Sequence, residues 1–226
     1  MEKFSPDPLF GKYGKIDREG RKAFSAKEIS GADWSPEIMR NRFHTAITFN
    51  PESIDKVREK IIQPMLDIEK ELGMKMSIAI RDFTLHSTLD SGDVSPADES
   101  KRQEMFDAMT SNETILEYQK KLKDVVIDYR YLIVNKKGQA LLVSTDLPSI
   151  ITDYRKAIEL VFSEKGFEYA PVDILHITLT REEEFDLESD PEKAKKIKDF
   201  YIKLRHQISH TPFQLTVDNL YTGKCL

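Results

Sequence analysis

The chain has 226 residues, of which 39% are hydrophobic and 32% are charged, and its formal net charge at pH 7 is −5. This length and balance are typical of a globular protein with a well-buried core, and they exclude the disordered and membrane classes, since no apolar run approaches the roughly 20 residues that span a bilayer. The negative charge argues against a protein that binds long nucleic acid mainly through its phosphates.

The N-terminus has no basic region followed by an apolar one, so a secretory signal is not expected and a cytoplasmic location is the default. The only cysteine, Cys225, excludes an intrachain disulfide and a multi-cysteine metal site. His206 and His210 are four residues apart but lack the accompanying Glu of a zinc motif, so we interpret them as a pair on a helix surface.

Residues 1–40 contain irregularly spaced prolines and glycines without a sustained apolar period, which predicts a loop-rich N-terminal extension to a domain over residues 41–226. The aromatic and β-branched run from Phe43 to Phe49 predicts a strand. A helix should follow, capped by Ser53, kinked at Pro64 and ended by Gly73.

The next predicted strand, Met74 to Leu89, carries the pentapeptide Leu85-His86-Ser87-Thr88-Leu89. Alternate side chains of a strand share a face, so His86 and Thr88 should point one way, and the leucines and Ser87 should face the helices. A helix should begin near Ser95 and Pro96, with a break between Ser111 and Lys123.

The second half of the chain repeats this alternation of strands and helices. The predicted elements are an antiparallel strand pair at Val125 to Val134 and Gln139 to Ser144, a helix from Pro148 to Gly166, a strand from Asp173 to Arg181, a helix that ends before Pro212, and a strand from Phe213 to Tyr221.

The pentapeptide recurs as Leu175-His176-Ile177-Thr178-Leu179, with its histidine 90 residues after His86. Each copy ends a series of strand, proline, Ser-Ile, amphipathic helix, glycine and strand, once from Phe43 to Leu89 and again from about Gln139 to Leu179. This order predicts an α+β fold with two pseudo-symmetric lobes, mainly antiparallel sheets flanked by helices, and a central cleft that carries both His-x-Thr motifs.

Two histidines fit the chemistry of phosphodiester cleavage. Breaking a P–O bond requires a base for the attacking oxygen, an acid for the leaving oxygen, and donors to the non-bridging oxygens. An imidazole pKa near 6.5 lets His86 and His176 fill the first two roles in either order, and the hydroxyls of Thr88 and Thr178 can be the donors. The alternative is that these are ordinary residues of a sheet, where threonine is common.

The paired motifs resemble those of the 2H phosphoesterase superfamily, which includes LigT-like RNA 2′,3′-cyclic phosphodiesterases and the nucleotide-binding domain of certain kinase-anchoring proteins. The resemblance covers roughly residues 43–221. It implies that His86 and His176 are the catalytic acid/base pair and that Thr88 and Thr178 bind the phosphate, without a metal or other cofactor. It also makes Arg181, which follows the second motif, a phosphate contact.

Our leading hypothesis from the sequence is therefore a metal-independent phosphodiesterase that acts on a small or cyclic phosphodiester, a nucleotide or an RNA 3′ end, as a monomer and without a membrane. A second hypothesis is a nucleotide-binding sensor or scaffold that turns nothing over, with residues 1–40 docking a partner. A third is RNA end ligation or repair within a complex. Phe83, Tyr129 and Tyr131 are candidates for stacking on a nucleobase, with core packing as the alternative for each.

Overall fold

The structure is a computed structural model, and it describes residues 14–20, 22–23, 42–73, 85–93, 99–135, 139–144, 146–166, 175–180, 190–210 and 212–224. Its helices are α1 (residues 14–20), α2 (Pro51–Val57), α3 (Gln63–Leu72), α4 (Glu99–Ser111), α5 (Glu113–Leu122), α6 (Ser149–Glu164) and α7 (Pro191–His210). Its strands are β1 (Arg42–Phe49), β2 (His86–Asp93), β3 (Val126–Tyr129), β4 (Tyr131–Val134), β5 (Ala140–Ser144), β6 (Leu175–Thr178) and β7 (Phe213–Lys224). Among these helices, none is long and apolar enough to cross a membrane.

The strands form two antiparallel sheets, which confirms the predicted α+β class. The first sheet has the order β2-β1-β7-β3 and the second has the order β4-β5-β6. The predicted repeat is present in the structure. The strands β1 and β2 are antiparallel neighbours separated by helices α2 and α3, and β5 and β6 are antiparallel neighbours separated by α6.

The first connecting helix begins and bends differently from the prediction. Asn50, not Ser53, caps α2, because the Asn50 side chain accepts a hydrogen bond from the Ser53 N–H. Ser53 is buried, and its Oγ accepts from the backbone N–H of Thr216 on β7. The irregularity predicted at Pro64 is a π-helical turn, Arg58–Ile62. Proline has no backbone N–H, and this turn takes the place of the regular α-helical hydrogen bond that Pro64 cannot donate. The helix ends at Gly73 as predicted, in a left-handed conformation at φ 60°.

Three boundaries differ from the sequence prediction for identifiable reasons. Strand β2 continues past Leu89, because a bulge there lets the ladder resume with Asp90 opposite Thr45. The run predicted as one strand at Val125 to Val134 is divided at Arg130, where the chain passes from the first sheet to the second. Between Ser111 and Lys123 the helical break is confined to residue 112, an asparagine that caps α5.

The buried side chains form two clusters of unequal size. The main cluster lies between the sheets and the helices and includes the buried residues of every described helix from α2 to α7. A small second cluster lies on the opposite face of the second sheet and consists of Ile133, Leu141 and Val143, with Ile16 and Tyr131 packed against it. Ile16 belongs to α1, so part of the predicted N-terminal extension helps to cover the second sheet.

Helix α1 is fixed to the second sheet by a close approach and an ion pair. The Arg205 guanidinium on α7 donates to the carboxylate of Asp17 at 2.6 Å and to the backbone carbonyl of Leu132 at 3.1 Å. A Cβ atom on Gly20 would overlap the carbonyl oxygen of Val134 at the edge of β4. The described part of the extension is therefore helical and packed, whereas Trp34 and the rest of it lie outside the described residues.

We predict that Gly20→Ala destabilises the protein by about 1 to 3 kcal/mol, because the added methyl group forces α1 away from β4 as overpacking does in a core. The free energy of unfolding in urea is the measurement. Glu19→Ala, at an exposed position of the same helix, is the matched control and should change stability by less than about 0.5 kcal/mol. Equal values for the two variants would show that α1 does not depend on this close approach.

Candidate active site

The first motif occupies the start of β2 with the predicted alternation of faces. His86 and Thr88 are partly exposed, whereas Leu85, Ser87 and Leu89 are buried. The two leucines join the main core. The imidazole and the threonine hydroxyl therefore lie on the face of the sheet that is turned away from the helices.

The second motif has the same arrangement on β6. His176 and Thr178 are partly exposed, and Leu175, Ile177 and Leu179 are fully buried in the main core. Beyond the strand, the Thr180 hydroxyl is buried and accepts a hydrogen bond from the Ala140 N–H at 2.9 Å, which holds the end of the motif against β5. Each half of the repeat thus presents one imidazole and one hydroxyl.

The two motif strands lie side by side, each at the edge of its own sheet. The Ser87 hydroxyl donates to the backbone carbonyl of His176 at 2.8 Å, which links the centre of the first motif to the histidine of the second. In β6 the Leu179 N–H donates to the Ala140 carbonyl. Hydrogen-bonded and non-hydrogen-bonded residue pairs alternate along antiparallel strands. Leu179 is in a hydrogen-bonded pair, so His176, three residues earlier, is not. The backbone N–H and C=O of His176 therefore point away from β5, toward β2.

The face of the first sheet that carries the first motif has a polar row beside His86 and a buried alanine beside Thr88. From β2 across β1 to β7, one row of paired residues is His86, Thr48 and Asn219. The next row is Thr88, Ala46 and Tyr221. Asn219, at the outer end of the first row, is exposed, and Tyr221, at the outer end of the second, is 47% exposed. Ala46 is 1% exposed, and Tyr221 lies beyond it on the same face as Thr88.

The corresponding face of the second sheet is apolar and covered. From β6 across β5 to β4, the row of paired residues that begins at His176 continues with Val143 and Tyr131. Val143 belongs to the small cluster that Ile16 of α1 covers. The two half-sites are therefore alike in their motifs and different in what lies beside them.

Arg155 is a residue of the site that the sequence interpretation missed. From helix α6 of the second half, its guanidinium donates through Nε and Nη2 to the carbonyl of Leu89, at 3.2 and 3.0 Å. Leu89 is the bulged residue at the end of the first motif. Nothing in the local sequence signals this contact, because it joins residues 66 positions apart. Ser87 did give a signal, since it stands where the second motif has an isoleucine.

Several predicted contacts fall elsewhere. Arg181 and Phe83 lie outside the described residues, and the role of Arg181 stays a prediction. Tyr129 is buried in the main core with its ring edge-on to Phe49, at 5.8 Å between centroids, so core packing is confirmed for it. Tyr131 packs against the small cluster.

Away from the motifs, the described part of the chain has a large cavity but no metal centre. A cavity of about 820 Å³ is lined by Lys56, Arg130, Phe213 and neighbouring residues, and contains none of the motif residues. Asp128 beside it raises the pKa of Arg130 through a hydrogen bond. Within the described residues, no three His, Cys, Asp or Glu side chains are grouped so that they could hold a metal ion.

No protein-family model and no curated protein matches the chain. It is similar to two solved structures of Usb1 from Kluyveromyces marxianus, one of them with uridine monophosphate. The first is 13% identical, with a TM-score of 0.45 over 83% of this chain and 96% of that chain. The second is 15% identical, with a TM-score of 0.47 over 84% and 96%. The likeness concerns the fold only.

We predict that Arg155→Met, which keeps the aliphatic stem, lowers the free energy of unfolding by about 1 to 3 kcal/mol, because two charged hydrogen bonds to the Leu89 carbonyl are lost. Denaturant unfolding is the measurement. Arg130→Met, which removes only an exposed ion pair with Asp128, should cost less than about 1 kcal/mol. The contact with Leu89 would be unimportant if both variants lost the same stability.

Proposed function

We propose that this chain is a metal-independent phosphodiesterase that acts on a small or cyclic phosphodiester, such as the 2′,3′-cyclic phosphate of a nucleotide or of an RNA end. His86 and His176 are its acid/base pair. Thr88 and Thr178 donate hydrogen bonds to the non-bridging phosphate oxygens.

The reaction follows from two imidazoles in different protonation states. The neutral imidazole takes a proton from a water molecule as the water oxygen attacks phosphorus, and the protonated imidazole gives its proton to the leaving ribose oxygen as the P–O bond breaks. The product is a phosphomonoester with a free ribose hydroxyl. Both hydroxyl donors strengthen their bonds as negative charge grows on the phosphate.

The observation that carries this proposal is the meeting of the two motifs. Two His-x-Thr pairs from distant parts of the chain lie on adjacent strand edges, with both histidines and both threonines on partly exposed positions. If these were ordinary residues of the sheets, there would be no reason for the same His-x-Thr pair to occur on both of the adjacent strands.

The exposed Tyr221, in the same row of the first sheet as Thr88, suggests the direction in which a nucleoside would extend. Adjacent strands are about 4.8 Å apart, so Tyr221, two strands from Thr88, lies roughly 10 Å away along the sheet. A phosphate at Thr88 and a base on the Tyr221 ring fit that separation. In the second sheet the row beside Thr178 continues with Leu141 and Ile133 of the small apolar cluster and has no aromatic ring.

We predict that His86→Ala and His176→Ala each lower kcat by 10²- to 10⁴-fold on nucleoside 2′,3′-cyclic phosphates, because each removes one of the two proton transfers. Turnover is measured by chromatography in the presence of a chelator, across pH 5 to 9. The wild type should give a bell-shaped profile, and each variant should lose one limb of it. His206→Ala, at an exposed position of α7, is the control and should retain wild-type kcat.

Full activity in either motif variant would overturn the proposal. Calorimetric binding of a nucleoside monophosphate without any turnover by the wild type would indicate the binding module instead. Complete loss of wild-type turnover on addition of the chelator would contradict a reaction without a metal.

We predict that Tyr221→Ala raises KM for the same substrates about 5- to 100-fold with little change in kcat, because stacking of a base on an aromatic ring contributes about 1 to 3 kcal/mol. Tyr221→Phe keeps the ring and should retain the wild-type KM. Steady-state kinetics on the two variants separate these outcomes. An unchanged KM for Tyr221→Ala would place the base elsewhere.

A further inference from the structure

Ser87 is a polar residue at a position of the repeat where the second motif has an apolar one. The central residue of each motif points into the main core, and in the second motif it is Ile177, an apolar side chain that fits there. In the first motif the same position holds a fully buried serine. A buried hydroxyl is unfavourable unless it forms a hydrogen bond. Stability alone would favour an apolar side chain at this position.

The hydrogen bond of Ser87 is directed at one atom of the other motif. Its hydroxyl donates to the carbonyl oxygen of His176 at 2.8 Å, and that carbonyl points out of the free edge of β6. The two strands belong to separate sheets, so the ladders within those sheets do not set their relative position. Apolar packing is not directional, whereas a hydrogen bond at this length fixes which residue of β6 lies beside Ser87.

We propose that Ser87 is a positioning residue that sets the relative position of the two catalytic motifs across the seam between the sheets. The inference rests on the proposed function and adds a residue to it. Ser87 lies between His86 and Thr88 in sequence, and it binds the main chain of His176. One short contact therefore couples the backbone that carries one imidazole to the backbone that carries the other.

The consequence for the reaction is geometric. Acid and base must both reach one phosphate group, and a misplacement of about 1 Å can cost 100-fold in rate. Without the Ser87 hydroxyl both strands keep their own sheets, and only their spacing and offset across the seam change. The expected effect is a loss of kcat with little change in the contacts that bind the nucleoside.

The test compares two buried serines. Ser87→Ala removes the bond across the seam. Ser144→Ala removes an equally buried hydroxyl from neighbouring β5, where it donates to the Asp146 carbonyl at 3.0 Å within the second half. We expect Ser87→Ala to lower kcat about 10- to 100-fold at nearly constant KM, and Ser144→Ala to leave kcat within about 3-fold of wild type. Similar kcat values for the two variants would overturn the proposal.

A double-mutant comparison separates positioning from a loss of folding. When His86 is already replaced by alanine, there is no longer a pair of imidazoles to position, so Ser87→Ala should lower kcat by less than about 3-fold in that background. An undiminished loss there would show that Ser87 acts independently of the pair and would overturn the proposal. Should Ser87→Ala not fold by circular dichroism, Ser87→Cys, a weak donor of similar size, takes its place with the same expected outcomes.

The failure of this inference differs from the failure of the proposed function. If the wild type turns over no cyclic phosphate, the same serine variants are compared by calorimetric titration with a nucleoside monophosphate. Weaker binding in Ser87→Ala alone would support positioning of the two threonines across the seam. Equal affinity in the two variants would overturn it.

Discussion

The site depends on a seam between two sheet edges. An edge strand presents unpaired backbone groups, and proteins usually cover or interrupt such edges. Here the edges β2 and β6 lie beside each other, joined by the Ser87 hydroxyl and the His176 carbonyl rather than into one continuous ladder. Two sheets that meet in this way can each retain their own twist and register. In the proposed function both motifs lie at this seam, where residues of the two sheets come together.

The interior of each half is conserved between the repeats by packing requirements, whereas the outer faces have diverged. Leucines flank both motifs and are buried in one core, since each strand must cover the helices behind it. On the opposite face the first sheet carries Thr48 and Tyr221, and the second carries the apolar cluster under Ile16. The outer faces of the two sheets can differ because the side chains on them do not pack in the main core.

Local patterns predicted most of the elements, and contacts between distant residues account for the differences. The apolar period of α6, the glycine at position 73 and the alternation around His86 act within a few residues, so the sequence reveals them. The passage between sheets at Arg130 depends on β7 and β5, which pair with the strands on either side of it. Asn50 and Ser53 are both good capping residues. Pro51 at the first helical position favours Asn50 as the cap, and Ser53 instead bonds the Thr216 N–H. The contacts of Ser87 and Arg155 join different halves of the repeat. The serine at position 87 differs from the isoleucine of the second motif, but no local pattern indicates which residues Ser87 and Arg155 contact.

The covered face of the second sheet bears on how a pseudo-symmetric pair can act on an asymmetric substrate. Two equivalent half-sites would accept a nucleoside phosphate in either of two opposite directions, and each imidazole would then meet either the attacking or the leaving oxygen. Helix α1 is fastened over one face by the ion pair of Asp17 with Arg205 and by the packing of Ile16. If the nucleoside extends over the first sheet, as we propose, His86 would lie on the nucleoside side of the phosphate and His176 on the far side. In the proposed reaction one binding direction would give each histidine a single role. The extension, although remote from both motifs in sequence, would then take part in the assignment of acid and base.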